Sequence, residues 1–348
     1  MKLQFTTVFL ALIAISCGSP EPENKKKKLK LNSTSSVKKE SLLDKARNYF
    51  QPIKSIPEND ENPITAEKVK LGKALYFDKQ LSKDGNISCN SCHNLDTYGV
   101  DNLPTSPGDE GKNGDRNSPT VLNAAFHFAQ FWDGRAADVE EQAGMPILNP
   151  VEMNIPSEAF LVDRLNKSAN YKALFAQAFP EDKAISFNNV ANAIGAFERT
   201  LITPSTFDQF LQGNESVLNA EETKGLELFI NKGCITCHTG KAVGGSQFQK
   251  FGLFGDYWDM TGSKVIDEGL AKETGNESDK YFFKVPSLRN IDKTAPYFHD
   301  GSVNDLKEAV IIMAKLENNK DLTDDEANAI VSFLGTLTGE VPAEAKEI

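Results

Sequence analysis

The chain has 348 residues, which is long enough for two domains, and a formal net charge of −11 from 38 Lys and Arg against 49 Asp and Glu. A chain this acidic argues against nucleic acid as a partner, since binding to phosphates depends on clustered Lys and Arg. It suits a basic protein partner, although acidic surfaces usually serve only solubility.

The N-terminus has the features of an export signal. Lys2 precedes an apolar run at residues 8–15, which is too short to cross a membrane as a helix. Small residues then lead into Cys17, as in a bacterial lipobox, and this pattern predicts cleavage before Cys17 and acylation of that residue. The alternative is an ordinary signal peptide that is lost together with Cys17. Residues 1–16 are therefore the expected signal peptide, on a chain exported to the periplasmic side of a Gram-negative envelope.

Residues 17–50 are expected to form a lipid-anchored tether. Their first part is rich in Pro, Glu, Asn, Lys and Ser and lacks the apolar content that a folded core requires, so it is expected to be disordered. A short helix is expected at residues 41–50. The folded part then divides into residues 51–202 and residues 203–340, before a tail at residues 341–348.

The motif C-x-x-C-H occurs twice in the folded part. In each copy two thiols three positions apart lie on one side of a helical turn, where they can bond the two vinyl groups of one porphyrin. The histidine that follows can supply a nitrogen to the iron. This is the attachment signature of a c-type haem and predicts two covalently bound haems. The residues are Cys89, Cys92 and His93 in the first copy and Cys234, Cys237 and His238 in the second.

Two cysteine knuckles that share one zinc ion are the main alternative. The two copies lie about 145 positions apart, however, far outside the usual spacing of zinc ligands. A thioredoxin-like redox pair is weaker still, because no alternation of strand and helix surrounds either copy. Haem attachment also requires an exported chain with reduced thiols, which agrees with the export signal.

The two halves of the folded part repeat one another. A helix capped by Thr65 runs into the first motif, and a helix capped by Asn219 runs into the second. Residues 119–134, PTVLNAAFHFAQFWDG, align without a gap with residues 286–301, PSLRNIDKTAPYFHDG. Such internal duplication predicts one small helical cytochrome c domain in each half.

The remaining periodic segments are also helical. Few stretches alternate with a period of two residues, so the predicted fold class is all-α. Thr203 and Pro204 mark the junction between the halves. Further helices are expected at residues 166–179, 190–201 and 306–316, and from Thr323 to Leu337.

The two irons are not expected to be equivalent. Met313 lies on the expected helix at residues 306–316, and a thioether on the second iron would close that haem and raise its reduction potential. A core position for Met313 is the alternative, and Met260 is the competing ligand. The aligned residue of the first half is Pro146, which cannot bind iron, so the first haem is expected to be open to a substrate.

Polar residues in the first half provide chemistry for an open haem. Gln142 and Glu152 flank a helix break expected at Met145 and Pro146. A carboxylate beside an open iron can take a proton from a bound peroxide and return it to the far oxygen, and an amide can polarise that oxygen. The alternative for Glu152 is an exposed loop acid.

With these residues the chain resembles the bacterial di-haem cytochrome c peroxidase family, which includes the MauG-type enzymes. The resemblance covers residues 55–340 and implies an enzyme that reduces hydrogen peroxide to water. The electrons would come from a small c-type cytochrome or cupredoxin. The matching motifs are FWDGR at 131–135, EQA at 141–143, VEM at 151–153, KVPSLRN at 284–290 and PYFHDG at 296–301.

The resemblance also implies a role for each site residue. Glu152 would be the catalytic acid–base residue and Gln142 the catalytic glutamine at the first haem. The second haem, with Met313 as its sixth ligand, would transfer electrons past Trp132. MauG-type enzymes have tyrosine in place of this methionine, so Met313 favours the peroxidase branch. The family binds Ca²⁺ between its domains, as suits oxygen ligands. The matching calcium ligands are Asn117 and, through their backbone carbonyls, Thr294 and Pro296.

One position departs from the family pattern. Many relatives carry a histidine in the loop after the first motif, where it caps the first iron until the second haem is reduced. By spacing, Asp109 occupies that position here. The first haem is therefore expected to be open without reductive activation. His127 and His299 are expected to be packed side chains or to face haem propionates.

Two other functions stay open at this point. A di-haem cytochrome that only transfers electrons would need a strong sixth ligand on both irons. A MauG-like enzyme would instead oxidise side chains of a partner protein. Relatives also form homodimers, although no exposed apolar stripe in this sequence indicates one.

Overall fold

The structure is a computed structural model that describes residues 40–182 and 184–346. These residues are mostly helical, which confirms the all-α fold class. One short antiparallel ribbon joins β1 (Phe248–Lys250) to β2 (Phe282–Lys284). The predicted signal peptide, Cys17 and most of the predicted tether lie outside the described residues. Within the described ranges, no helix has both the length and the apolar character needed to cross a membrane.

The helices follow the two halves of the chain. Those of the first half and its leading segment are α1 (Leu42–Arg47), α2 (Ala66–Phe77), α3 (Cys89–Cys92), α4 (Val139–Leu148), α5 (Glu158–Leu165), α6 (Ala169–Ala178) and α7 (Phe187–Arg199). Those of the second half are α8 (Thr206–Leu211), α9 (Ala220–Asn231), α10 (Tyr257–Thr261), α11 (Ala271–Thr274), α12 (Leu306–Asn318), α13 (Asp324–Gly335) and α14 (Ala343–Lys346).

Side-chain caps fix the start of the long helices. Thr65, Asn219 and Thr323 each accept a backbone N–H from the first turn of α2, α9 and α13, as the sequence predicted. Asp138 and Asp305 cap α4 and α12 in the same way. Since these two aspartates are aligned in the duplicated segments, the two helices begin in the same register.

The helix expected at residues 166–179 is present as α6, which begins after its cap Ser168. Another expectation about the first half was wrong. The break expected at Pro146 does not occur, because α4 continues to Leu148. The following loop folds back on the end of α4, and the Met153 N–H donates to the carbonyl of Pro146 at 3.1 Å.

Each half has its own apolar core. Helices α2, α4, α5, α6 and α7 bury the first core, and α8, α9 and α13 bury most of the second. Helix α1 contributes Leu43 and Ala46 to the second core, and Phe50, just after the helix, also belongs to it. Residues 42–50, which the sequence boundaries assigned to the tether, are therefore part of the folded unit.

The duplication extends to the closest helix contacts. A Cβ on Gly72 of α2 would lie 1.8 Å from the carbonyl oxygen of Ala193 on α7, and a Cβ on Gly225 of α9 would lie 1.9 Å from that of Ala329 on α13. The facing helices carry a repeat that the sequence analysis missed, ANAIGAFERTL at 191–201 and ANAIVSFLGTL at 327–337. Both halves thus bring two helix backbones together across a glycine.

The junction of the halves is a buried polar network. The Asn123 and Asn290 side-chain amides, at aligned positions, both donate to the Thr203 hydroxyl, at 2.7 and 2.9 Å. The Thr203 N–H donates back to Asn123 at 2.9 Å. Both asparagines have positive φ, +61° and +59°, a conformation that asparagine tolerates better than most residues. The linker is therefore fixed to both repeats rather than free between them.

Replacing Gly72 with alanine is expected to destabilise the protein by about 1–3 kcal/mol, because the added methyl group overpacks the contact with α7. Gly335→Ala is the matched control, since no atom lies within 4 Å of its added Cβ. That variant should be neutral or more stable by about 0.4–1 kcal/mol. Denaturant unfolding of the haem-loaded protein measures both, and equal stability of the two variants would contradict the packing argument.

Candidate active site

The first C-x-x-C-H motif lies on a single helical turn. Helix α3 presents Cys89 and Cys92 from the same turn, and the backbone N–H of His93 donates to the Cys89 carbonyl at 2.9 Å. The His93 ring lies with Nδ1 3.0 Å from the Pro119 carbonyl oxygen. When Nδ1 donates there, Nε2 is left without a proton and can bind a metal.

The second motif has the same arrangement on a 3₁₀ turn. The turn spans Cys234–Thr236, and the His238 N–H donates to the Cys234 carbonyl at 3.0 Å. The His238 Nδ1 lies 3.2 Å from the Val243 carbonyl oxygen. Burial lowers the pKa of His238 to about 4, against the opposing effect of the Val243 and Pro286 carbonyls, so the ring is neutral and able to ligate.

These groups fit two c-type haems. No disulfide joins the four motif cysteines, so each thiol is available for a thioether bond. Each histidine is oriented by a backbone carbonyl, as metal-bound histidines usually are. A large cavity opens beside the second motif and is lined by Cys234, Cys237 and His238.

Met313 lines this same cavity from helix α12, whereas its neighbours Ile312 and Leu316 are buried in a separate apolar cluster. Met260, the competing ligand, is 39 % exposed and does not line the cavity. The fold thus places Met313 in the cavity that His238 also lines, and Met260 outside it.

Glu152 follows helix α4 and is partly buried in the first half. Its carboxylate accepts a hydrogen bond from the Asn149 amide at 2.7 Å. Burial raises the pKa of Glu152, while the Arg135 charge and the Asn149 hydrogen bond act in the opposite direction. Burial also raises the pKa of Cys92 to about 11, and the charge of Glu152 adds to this shift. Burial therefore gives this carboxylate an environment that favours proton uptake.

Gln142 is half-buried on α4, one turn before Pro146. In the described part of the chain, no hydrogen bond connects its side chain to Glu152. The sequence did not indicate the two residues that act on Glu152. Arg135 ends the FWDGR motif and Asn149 caps the C-terminus of α4. These two positions were the only features of the sequence that could have pointed to a contact with Glu152.

Trp132 lies where the two halves meet. Its indole N–H donates to the Asn117 carbonyl at 2.9 Å, and its own carbonyl accepts the N–H of Lys284 at 2.7 Å. Its ring centroid lies 6.3 Å from that of His299. Since Trp132 also lines the cavity of the second motif, it contacts both the first-half loop and the second-half pocket.

The three residues matched to calcium ligands line one cavity. The Asn117 amide nitrogen donates to the Leu103 carbonyl at 2.9 Å, which leaves its side-chain oxygen free to bind another group. Among the described hydrogen bonds, none uses the carbonyl oxygen of Thr294 or Pro296. Amide and carbonyl oxygens of this kind suit Ca²⁺.

Comparison with known proteins shows the family of this chain. The sequence profile of di-haem cytochrome c peroxidases matches residues 66–216, and that of cytochrome c matches residues 222–338. Cytochrome c551 peroxidase of Nitrosomonas europaea is 46% identical over 85% of this chain and 86% of its own length. The chain belongs to the di-haem cytochrome c peroxidase family. It is an enzyme of the peroxidase type that carries haem c.

More distant members of the family help to distinguish its peroxidase branch from its MauG-type branch. The methylamine utilization protein MauG of Methylorubrum extorquens is 32% identical over 97% of this chain and 96% of its own length. A crystal structure of a MauG-like protein associated with microbial copper homeostasis has a TM-score of 0.75 at 31% identity, covering 85% of this chain and 96% of that one. The higher identity to a peroxidase supports the peroxidase function over the MauG-like alternative.

Asp109, which by spacing replaces the histidine expected from the family resemblance, is buried against the segment that precedes the first motif. It is 5 % exposed, and its carboxylate accepts the backbone N–H groups of Asp84 at 2.7 Å and Asn86 at 3.1 Å. Its own N–H donates to the Glu152 carbonyl at 2.8 Å. Asp109 therefore connects the segment that leads into Cys89 with the segment that carries Glu152.

Asp109→Ala is expected to loosen this connection. Hydrogen bonds to a charged acceptor contribute about 1.5–3 kcal/mol, and two backbone donors would lose theirs. Amide hydrogen exchange should become faster at Asp84 and Asn86 and stay unchanged in the second half. Glu110→Ala, next in sequence, is the control and should have little effect, because its ion pairs with Lys83 and Lys112 are exposed to water. Equal exchange in the two variants would contradict this role of Asp109.

Proposed function

We propose that this enzyme reduces hydrogen peroxide to water at the first haem, with Glu152 as the acid–base residue. Each peroxide would take two electrons and two protons and give two waters. The observation that carries the proposal is the partly buried Glu152, whose backbone carbonyl accepts the N–H of Asp109 at 2.8 Å. The Asp109 carboxylate in turn accepts the N–H groups of Asp84 and Asn86, on the segment that leads into Cys89. When bound, the two haems supply the redox chemistry, one for cleavage of the peroxide bond and the other for electrons.

Glu152 would take the proton from the peroxide oxygen nearer the iron and return it to the leaving oxygen. Burial moves its pKa upward, toward neutral pH, and a group whose pKa lies nearer the working pH can both accept a proton and return it. Asn149 holds the carboxylate in place at 2.7 Å. Gln142 would donate a hydrogen bond to the leaving oxygen and polarise it.

Electrons would reach the first haem past Trp132. Its backbone is hydrogen-bonded to Lys284 of the second half and its indole to Asn117 of the first. Met313 would be the sixth ligand at the second haem, which would close that iron to peroxide and raise its potential. Asn117, Thr294 and Pro296 would bind Ca²⁺ near this route through one side-chain and two backbone oxygens.

The donor would be a small c-type cytochrome or cupredoxin with a basic surface that complements the acidic enzyme. The enzyme would act on the periplasmic side of the envelope, where haem c is attached. Acylation at Cys17 would hold the enzyme at a membrane, with residues 18–40 as the spacer. We further propose that the first haem is open in the fully oxidised enzyme. The residue at the position of the capping histidine is Asp109, and its carboxylate already accepts two backbone N–H groups.

Glu152→Gln tests the acid–base role directly. Glutamine keeps the shape of the side chain but cannot accept the proton, so the rate of reaction with hydrogen peroxide should fall about 10²–10⁴-fold. The absorption spectra of both haems should remain close to those of the parent enzyme. Stopped-flow mixing with peroxide measures the rate, and Glu158→Gln, at an exposed residue of α5, is the charge-matched control. A normal rate in Glu152→Gln would remove this residue from the mechanism.

The pH dependence gives a second test. Glu152 accepts a proton only when it is ionised, so the rate should fall as the pH decreases through its raised pKa. The positive charge of Arg135 favours the ionised form, so Arg135→Gln should raise this pKa further and move the acid limb of the profile to higher pH. Lys172→Gln, on the surface of α6, should leave the limb where it is. A limb that does not move in Arg135→Gln would mean that another group controls it.

A further inference from the structure

Lys284 is a buried cation in the cavity of the second haem. It lies on strand β2 and only 5 % of its surface is exposed. Its side chain lines the same cavity as Cys237 and His238. Lysine is rarely buried to this degree without an anionic partner, since removing an ammonium group from water costs several kcal/mol.

The described part of the chain supplies no such partner. No carboxylate lies within 4 Å of the Lys284 ammonium in any described ion pair. Its side-chain contact is the His127 Nδ1, at 3.4 Å. Burial alone lowers the pKa of Lys284 to about 8, and no acidic group opposes the shift. Glu317 also lines the cavity, but its carboxylate accepts the Gly252 N–H at 2.7 Å on the α12 side.

The Lys284 ammonium group is held near the loop that carries His238, because its partner His127 packs on that loop. A Cβ on Gly245 would meet the His127 ring at 2.3 Å, and a Cβ on the preceding Gly244 would lie 3.3 Å from the His238 Nδ1. The His127 ring is therefore packed on the loop that orients His238. Because burial and the Lys284 charge lower the pKa of His127 well below its usual range, the ring is neutral and can accept a hydrogen bond from Lys284.

We propose that Lys284, oriented by His127, binds a propionate carboxylate of the haem attached at Cys234 and Cys237. The proposal rests on the assignment of that haem. A haem brings two carboxylates into a cavity that otherwise contains an unpaired ammonium group, and the ion pair would satisfy both charges. Lys284 and Trp132 line the same cavity, and the backbone N–H of Lys284 donates to the Trp132 carbonyl, so the ion pair would form in the part of the protein that also contains Trp132.

The pair would set the reduction potential of the second haem. A propionate without its cation places an uncompensated negative charge near the iron and favours the ferric form. Removal of the Lys284 charge should therefore lower the potential of the second haem. The first haem is attached to the other half of the chain, so it should change much less.

The test is a spectroelectrochemical titration of the full-length, haem-loaded enzyme, with the two haems distinguished by their absorption bands. In Lys284→Met the equilibrium constant for reduction of the second haem should fall on the order of tenfold, about 59 mV for one electron. Lys284→Arg keeps the charge and should retain most of the parent potential. Lys320→Met, which removes an exposed lysine of the same half, should have no effect.

Three results would overturn the proposal. These are an unchanged second-haem potential in Lys284→Met, a shift confined to the first haem, and equal shifts in Lys284→Met and Lys284→Arg. If Lys284→Met does not take up both haems, Lys284→Gln replaces it in the same comparison. A free anion in place of the propionate would make the parent potential depend on chloride concentration, whereas a propionate leaves it independent of chloride.

Discussion

The structure depends on a porphyrin being fixed at one edge by two thiols on one turn of chain. A porphyrin bound in this way has a fixed position relative to its motif. The rest of the chain therefore has to leave a cavity beside the motif histidine and supply any further iron ligand from another segment. At the second motif this cavity is lined by residues from α9, β2, α12 and α13. One cysteine of each motif, Cys89 or Cys234, packs against the apolar core of its own half.

Duplication gives the two halves the same helical framework, and substitutions at single aligned positions give them different chemistry. Helices α4 and α12 both begin at a capping aspartate in the same register. The eighth residue after that cap is Pro146 in one and Met313 in the other. Only the second can offer a thioether to an iron. The first helix is shorter and leads into a loop that folds back on its end and carries Glu152.

Charges at the boundary connect the halves. Arg116 of the first half contacts Asp133 and also pairs with Asp267 of the second half at 2.7 Å. Burial raises the pKa of Asp267, but its hydrogen bonds to Arg116 and the Gly269 N–H dominate and hold that pKa well below its usual value. The ion pairs and the Thr203 network fix the two halves relative to Trp132. This rigidity matters because electron transfer between the two sites depends on a fixed separation.

The sequence by itself determined the features that depend on neighbours along the chain. The spacing of Cys89, Cys92 and His93 indicated a haem, the caps at Thr65 and Asn219 gave helix starts, and the aligned repeats gave the all-α duplication. These features were predictable because hydrogen bonds within a turn join residues three or four positions apart. The continuation of α4 through Pro146 was not predictable, because the loop that folds back on it decides the end of the helix.

Only the tertiary structure decided the environment of each chemical group. Lys284 contacts His127 across 157 positions, and Asn290 contacts Thr203 across 87. The burial of Glu152 and the backbone donors of Asp109 likewise come from segments that the sequence does not place together. Burial and opposing charge set proton affinity and charge pairing, and both are properties of the packed chain rather than of any local run of residues.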